Sequence, residues 1–144
     1  MPGQRSLEAG QYYAHKQNAF WRIIGELLGL DPRASYAKRV RALESARIAV
    51  WDVLHSCTRA GSLDTSIDRA SETANDFRDF FRRHPKILRV FFNGAKAEAS
   101  FRRHVASGLD RTSIKYARLP STSPAHAGAP YSRKLAAWKA ILRG

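Results

Sequence analysis

The side chains able to do chemistry in this chain gather in three polar segments, each at the end of an apolar run: residues 10–21 (GQYYAHKQNAFW), 91–97 (FFNGAKA) and 119–126 (LPSTSPAH). The first offers aromatic faces at Tyr12 and Tyr13, an imidazole at His15 and an amide at Asn18. An amide cannot be a general base at neutral pH, so Asn18 can orient a reactant by hydrogen bonds but cannot take its proton. In the second, Asn93, Gly94 and Lys96 open a helix at a strand end, which makes a ready anion site and equally a plain tight turn. The third places the hydroxyls of Ser121, Thr122 and Ser123 and the imidazole of His126 in a proline-stiffened loop. A carboxylate, Asp52, stands near the end of a further apolar run, Ile48 to Leu54.

Spacing sets several other chemistries aside. The sequence has no Walker A loop, no G-x-G-x-x-G, no H-E-x-x-H and no H-x-E paired with P-C-x-x-C. Its five histidines are scattered, and its one cysteine, Cys57, allows neither an intramolecular disulfide nor a cysteine-rich zinc site. His55 and Cys57 form an isolated H-x-C of the kind found in ordinary packing. No metal is expected.

Charge points to a polyanion. Lys and Arg number 25 against 12 Asp and Glu, a formal net charge of +13 with a pI near 10.7. Residues 101–144 hold nine basic side chains against Asp110 alone. Arg102, Arg103, Arg133, Lys134 and Lys139 read as solvated positions, and nucleic acid is the natural partner of such a surface. No apolar run approaches the ~18 residues of a membrane-spanning helix, and no signal-peptide core follows Met1. A soluble, intracellular protein without membrane contact is expected.

The elements that must position these residues follow from periodicity. The 144 residues suffice for one domain, burying roughly 68% of the unfolded surface. Phe20, Ile23, Ile24, Leu27 and Leu28 have helical spacing, with Asn18 at the N-cap position and Gly29 as the stop. Ser35 caps a second helix carrying Ala37, Val40, Leu43 and Ala46. Ile48 to Leu54 reads as a buried strand, followed by a polar loop through Gly61, Ser62, Asp64 and Asp68. Asn75 caps a helix with Phe77, Phe80 and Phe81 on one face, ended at His84-Pro85. Ile87 to Phe92 is the next strand, residues 95–106 a helix, Ile114 to Leu119 a third strand, and Tyr131 to Leu142 a helix with Leu135, Trp138, Ile141 and Leu142 inward. This alternation predicts an α/β fold with parallel pairing and a sheet covered on both faces, its sites at the C-terminal strand ends. A Pro2-Gly3 turn with no strand before it, and only three strands for five helices, suggest a missing upstream strand.

In their order and spacing the three segments, with Trp51-Asp52-Val53-Leu54, resemble the uracil-DNA glycosylase superfamily, most closely its hypoxanthine (deoxyinosine) glycosylase branch. The resemblance runs from Met1 to the last helix. It implies a single three-layer α/β/α domain with a short parallel sheet, acting on a base flipped from duplex DNA without metal or organic cofactor. In that family an opening strand ends in a Gly-Ser-x-Pro-Gly turn; this chain starts inside the turn, which implies an absent first central strand and an N-terminally truncated domain. The implied activity is that of a monofunctional DNA glycosylase of base excision repair, removing hypoxanthine first and uracil second. It would work as a monomer in the cytoplasm, at the nucleoid. A mismatch-type uracil/thymine glycosylase and a non-catalytic, basic DNA-binding relic are the alternatives.

The resemblance also implies roles. Asn18 matches the asparagine of an H-P-x-N-x-F-W motif that positions the attacking water, although Lys16 stands where the motif has proline. Tyr13 would stack on the flipped base, with Tyr12 and His15 lining the pocket. Asp52 would accept an N–H of the base, or equally serve as a helix cap or ion-pair partner. Ser121, Thr122 and Ser123 would meet DNA in a loop that presses into the minor groove; apart from the resemblance, Asn93 and Lys96 would meet phosphate at the strand-end anion site, or equally only shape a tight turn. Leu119 replaces the histidine of uracil-specific relatives, leaving His126 as donor to the departing base.

Overall fold

The computed structural model describes residues 2–58, 60, 63, 67–109 and 113–143. Gly61, Ser62 and Asp64 of the expected polar loop, and Met1 of the expected turn, lie outside the described residues. In chain order the elements are helices α1 (Gln4–Ala9), α2 (Phe20–Leu28) and α3 (Tyr36–Ser45), strands β1 (Leu54–Ser56) and β2 (Thr73–Ala74), helix α4 (Phe77–Arg83), strand β3 (Arg89–Asn93), helix α5 (Ala95–His104), strand β4 (Lys115–Leu119) and helix α6 (Tyr131–Trp138). Two groups of elements each pack as a compact unit: Asp52–Leu119, and Pro2–Trp51 with Pro120–Gly144.

In the first unit, β3 and β4 pair in parallel from Arg89↔Lys115 to Asn93↔Leu119, with α5 in the connection between them. Phe77, Phe81, Phe92, Phe101, Val105 and Ile114 form its core. Phe101 sits edge-on to Phe77 with ring centroids 5.2 Å apart, the geometry aromatic quadrupoles prefer. The three expected parallel strands reduce to two. Residues 48–53 form no ladder, because a strand exists only where a partner takes its hydrogen bonds. Only Leu54–Ser56 finds one, pairing antiparallel with Thr73–Ala74 across a register shift. Asp52 therefore precedes a strand rather than ending one. The α4 cap is Asp76, whose side chain accepts from Asp79 N at 2.9 Å. Asn75 instead donates through Nδ2 to the Asp52 carbonyl at 2.8 Å.

Glu72, which the sequence reading passed over, gathers cations in this unit. Its fully covered carboxylate pairs with Lys96, with Arg103 at 3.5 Å and with His104 at 2.7 Å. Burial pushes its pKa up, but hydrogen bonds from Lys96 and His104 and the charges of both outweigh burial, so the carboxyl lies below its usual 4.5. A depressed folded pKa contributes stability that is whole above pH 4.5 and is lost as pH falls through the folded value. Because the Lys96 and Arg103 side chains stay 25% and 43% exposed and can rehydrate, Glu72→Gln should cost only about 1–2 kcal/mol at neutral pH. The variant should also lose less stability than the parent on acidification, as thermal melts at pH 7 and well below pH 4.5 would show.

The second unit is helical. Phe20, Ile23 and Ile24 are buried on one face of α2, and Gly29, at φ 66°, ends that helix in the left-handed conformation a glycine adopts most cheaply. Ser35 caps α3 as expected, its hydroxyl accepting from Lys38 N at 3.3 Å. Helix α1 has no periodic apolar face in the sequence and was not expected. The last helix stops at Trp138 and tightens into a 3-10 turn over Lys139–Leu142, which leaves Leu142 exposed rather than inward.

Candidate functional site

Asn18 lies in the turn before α2. The N-cap by backbone position is Ala19, yet the capping bond comes from Asn18, whose Oδ1 accepts from Phe20 N at 3.0 Å. This is the local side-chain to backbone bond that asparagine favours at a helix start. The bond uses one lone pair of Oδ1; the other, and the amide N–H groups, remain to hold a reactant. His15 shapes the turn: its carbonyl accepts from Asn18 N at 2.9 Å and its Nδ1 from Gln17 N at 3.2 Å.

Upstream, Tyr13 adopts φ 54°, a left-handed conformation that costs a non-glycine residue on the order of 1–2 kcal/mol. Its neighbours hold it there. Trp21 Nε1 donates to the Tyr12 carbonyl at 2.8 Å, Tyr12 N to the Tyr36 hydroxyl at 3.2 Å, and Ala14 N to Ser6 Oγ at 3.1 Å. The Tyr13 ring stacks on Phe20 with centroids 4.0 Å apart. A strained residue over-determined in this way is a feature of working sites.

The loop after β4 joins the same turn. Ala19 N donates to the Thr122 carbonyl at 3.0 Å, and Thr122 is buried at 1% exposure. It was expected at a DNA surface, but its position makes it an anchor. Half-buried Ser121 and Ser123 stabilise the loop locally, accepting from Ser123 N and Ala125 N, each at 3.2 Å. His126 is exposed at the loop end.

An open cleft of about 410 Å³ is lined by Lys16, Gln17, Asn18, Ala19, Arg22, Ala129, Tyr131 and Lys134. Its cations favour an anionic ligand. The Arg22 guanidinium lies 3.8 Å over the Tyr131 ring, and the Tyr131 hydroxyl donates to Glu26 at 2.6 Å. Burial, and then the Glu26 hydrogen bond, push the phenol up to about 12, so Tyr131 stays neutral at working pH. Lys134, expected as a solvated side chain, is buried at 7% exposure, with Nζ donating to the His126 carbonyl at 2.9 Å. A readable signal existed: Lys134 is four residues before Trp138 and so shares its inward helix face.

Tyr12, Tyr13, His15, Asn18, Ser121, Thr122, Ser123 and His126 thus belong to one compact unit, and Asp52, Asn93 and Lys96 to the other. Asn93 ends β3, and the next amide, Gly94 N, donates to the Leu119 carbonyl at 3.0 Å. Lys96 is committed to Glu72. No group of three or more His, Cys, Asp or Glu able to hold a metal occurs among the described residues, and no helix there is long and apolar enough to cross a membrane.

Comparison with known proteins gives the same direction. The profile of the Uracil DNA glycosylase superfamily matches residues 1–142. A hypoxanthine DNA glycosylase of Methanosarcina acetivorans is 36% identical over 98 residues, and one of Methanosarcina barkeri 37% over 98 residues. Each match spans 67% of this chain and 61% of the relative. The solution NMR structure of a candidate uracil DNA glycosylase from Methanosarcina acetivorans superposes with a TM-score of 0.73 at 29% identity, covering 99% of this chain and 86% of that one.

Proposed function

Because this chain belongs to the uracil-DNA glycosylase superfamily, with its α/β fold, we propose that it is a monofunctional DNA N-glycosylase. It flips deaminated bases from duplex DNA and excises them in base excision repair, hypoxanthine first and uracil second. We assign it the form of a single domain, working as a monomer in the cytoplasm at the nucleoid. The observation that carries this reading is Asn18: its amide oxygen caps α2, and the residue lines a cleft shared with Lys16, Arg22 and Lys134.

In the proposed reaction the base leaves C1′ with the bonding electrons as an oxocarbenium-like sugar develops. Asn18 holds a water by hydrogen bonds with its oxygen toward C1′; the C1′–O bond forms, the water's proton passes to solvent, and His126 donates a proton to the departing base. A Tyr13 ring backed by Phe20 is a rigid platform for the flipped base, worth about 1–3 kcal/mol of stacking. Tyr12 and His15 complete base recognition. Ser121 and Ser123 meet the backbone with hydroxyls and N–H groups, and Thr122 fixes their loop.

The test is direct: excess protein is incubated with labelled duplexes carrying one deoxyinosine, one uracil or neither, and abasic sites are cleaved with alkali. Scission at deoxyinosine is the expected result. Scission at uracil or thymine mismatches alone would move the assignment to a mismatch-type enzyme, and duplex binding without scission would leave a DNA-binding relic.

A further inference from the structure

Lysine is an expensive choice at position 134. It sits in the first turn of α6, where the helix dipole disfavours a cation, and only 7% of the residue is exposed. Among the described residues no carboxylate lies within ion-pair distance of it. An aliphatic side chain beside Trp138 would pack there at less cost. What the ammonium does instead is reach back eight residues to the His126 carbonyl at 2.9 Å.

One helical turn on, Trp138 Nε1 donates to the Pro120 carbonyl at 3.0 Å. Residues 134 and 138 lie on one face of α6, so a single helix face grips both ends of the loop between Pro120 and His126. Midway along the loop, the Thr122 carbonyl accepts from Ala19 N, the residue after Asn18, and Lys134 itself lines the cleft with Asn18.

We propose that Lys134 is a positioning residue for base excision: by pinning the His126 carbonyl it fixes the far end of the 120–126 loop, and with it the His126 donor, relative to Asn18. The inference rests on the glycosylase reading, and its test separates the two. Lys134→Met keeps length and apolar bulk and removes the donor; Lys134→Arg keeps a donor. Three quantities are read for each: the single-turnover rate on a deoxyinosine duplex at saturating protein, the melting temperature, and hydrogen exchange at the Ser123, Ala125 and His126 amides.

For Lys134→Met the rate should fall about tenfold or more, the scale on which misplaced groups lose rate. Its melting temperature should hold or rise, since a buried charge has been removed, and exchange of the loop amides should quicken. Lys134→Arg should recover most of the rate. A Lys134→Met rate within twofold of the parent, or a loss of melting temperature with unchanged rate per folded molecule, would overturn the proposal. If the parent chain releases no base, it is the glycosylase reading that falls. The pin is then judged by exchange alone: faster loop exchange in Lys134→Met upholds it and unchanged protection sinks it.

Discussion

Asn18→Ala should lower base release from a deoxyinosine duplex by about 10²- to 10³-fold, the scale of a group that handles the reacting water or proton. Duplex affinity should stay within about threefold, because phosphate contacts dominate it. The alanine also removes the bond to Phe20 N, so a cap loss of about 1 kcal/mol will accompany the rate effect. Asn18→Ser separates the two contributions. Serine caps a helix about as well as asparagine and should keep the melting temperature, but its short hydroxyl cannot place a water where the amide does. Single-turnover rates and melts on the three proteins decide the matter: a serine variant with parental rate would reduce Asn18 to a cap.

The largest stability effect is expected at Trp138. Its side chain is buried at 5% exposure, meets Phe20 edge to face at 5.7 Å, and donates Nε1 to the Pro120 carbonyl. Truncation to alanine should cost about 3–5 kcal/mol, the range for a large buried aromatic. In a chain of this length that lowers the melting temperature by roughly 10–15 °C. Trp138→Phe keeps most of the packing and leaves the carbonyl without its donor, at about 1–3 kcal/mol. The phenylalanine variant should also excise bases more slowly per folded molecule, since the near end of the loop is no longer gripped. Melting curves read beside rates normalised to folded protein test both parts.

Much of this was legible in the residues, and the failures have physical causes. The α2 face showed in the spacing of Phe20, Ile23 and Ile24, and the Ser35 cap and the strands near Val90 and Tyr116 were visible from local pattern alone. Ile48 to Leu54 misled because β-branched composition signals a preference for strand, while a ladder also needs a partner that composition does not specify. At the candidate site, Asn18 and the Pro120–His126 loop were singled out through the family resemblance, and the structure links them by the bond from Ala19 N to the Thr122 carbonyl. Lys134 was missed because charge was read as exposure; the i, i+4 relation to Trp138 held the contrary signal. Glu72 was missed because its three cationic partners come from 24 to 32 positions along the chain, a separation at which side-chain type carries no pairing information.

The bond from Ala19 N to the Thr122 carbonyl joins main chain to main chain. Neither side chain takes part, so the bond itself does not depend on side-chain chemistry, although the buried Thr122 position admits only a side chain of similar size. Proline at position 19 is the exception, since it alone lacks the donor. Sequence drift could rewrite the exposed side chains of the loop and the turn without unfastening one from the other.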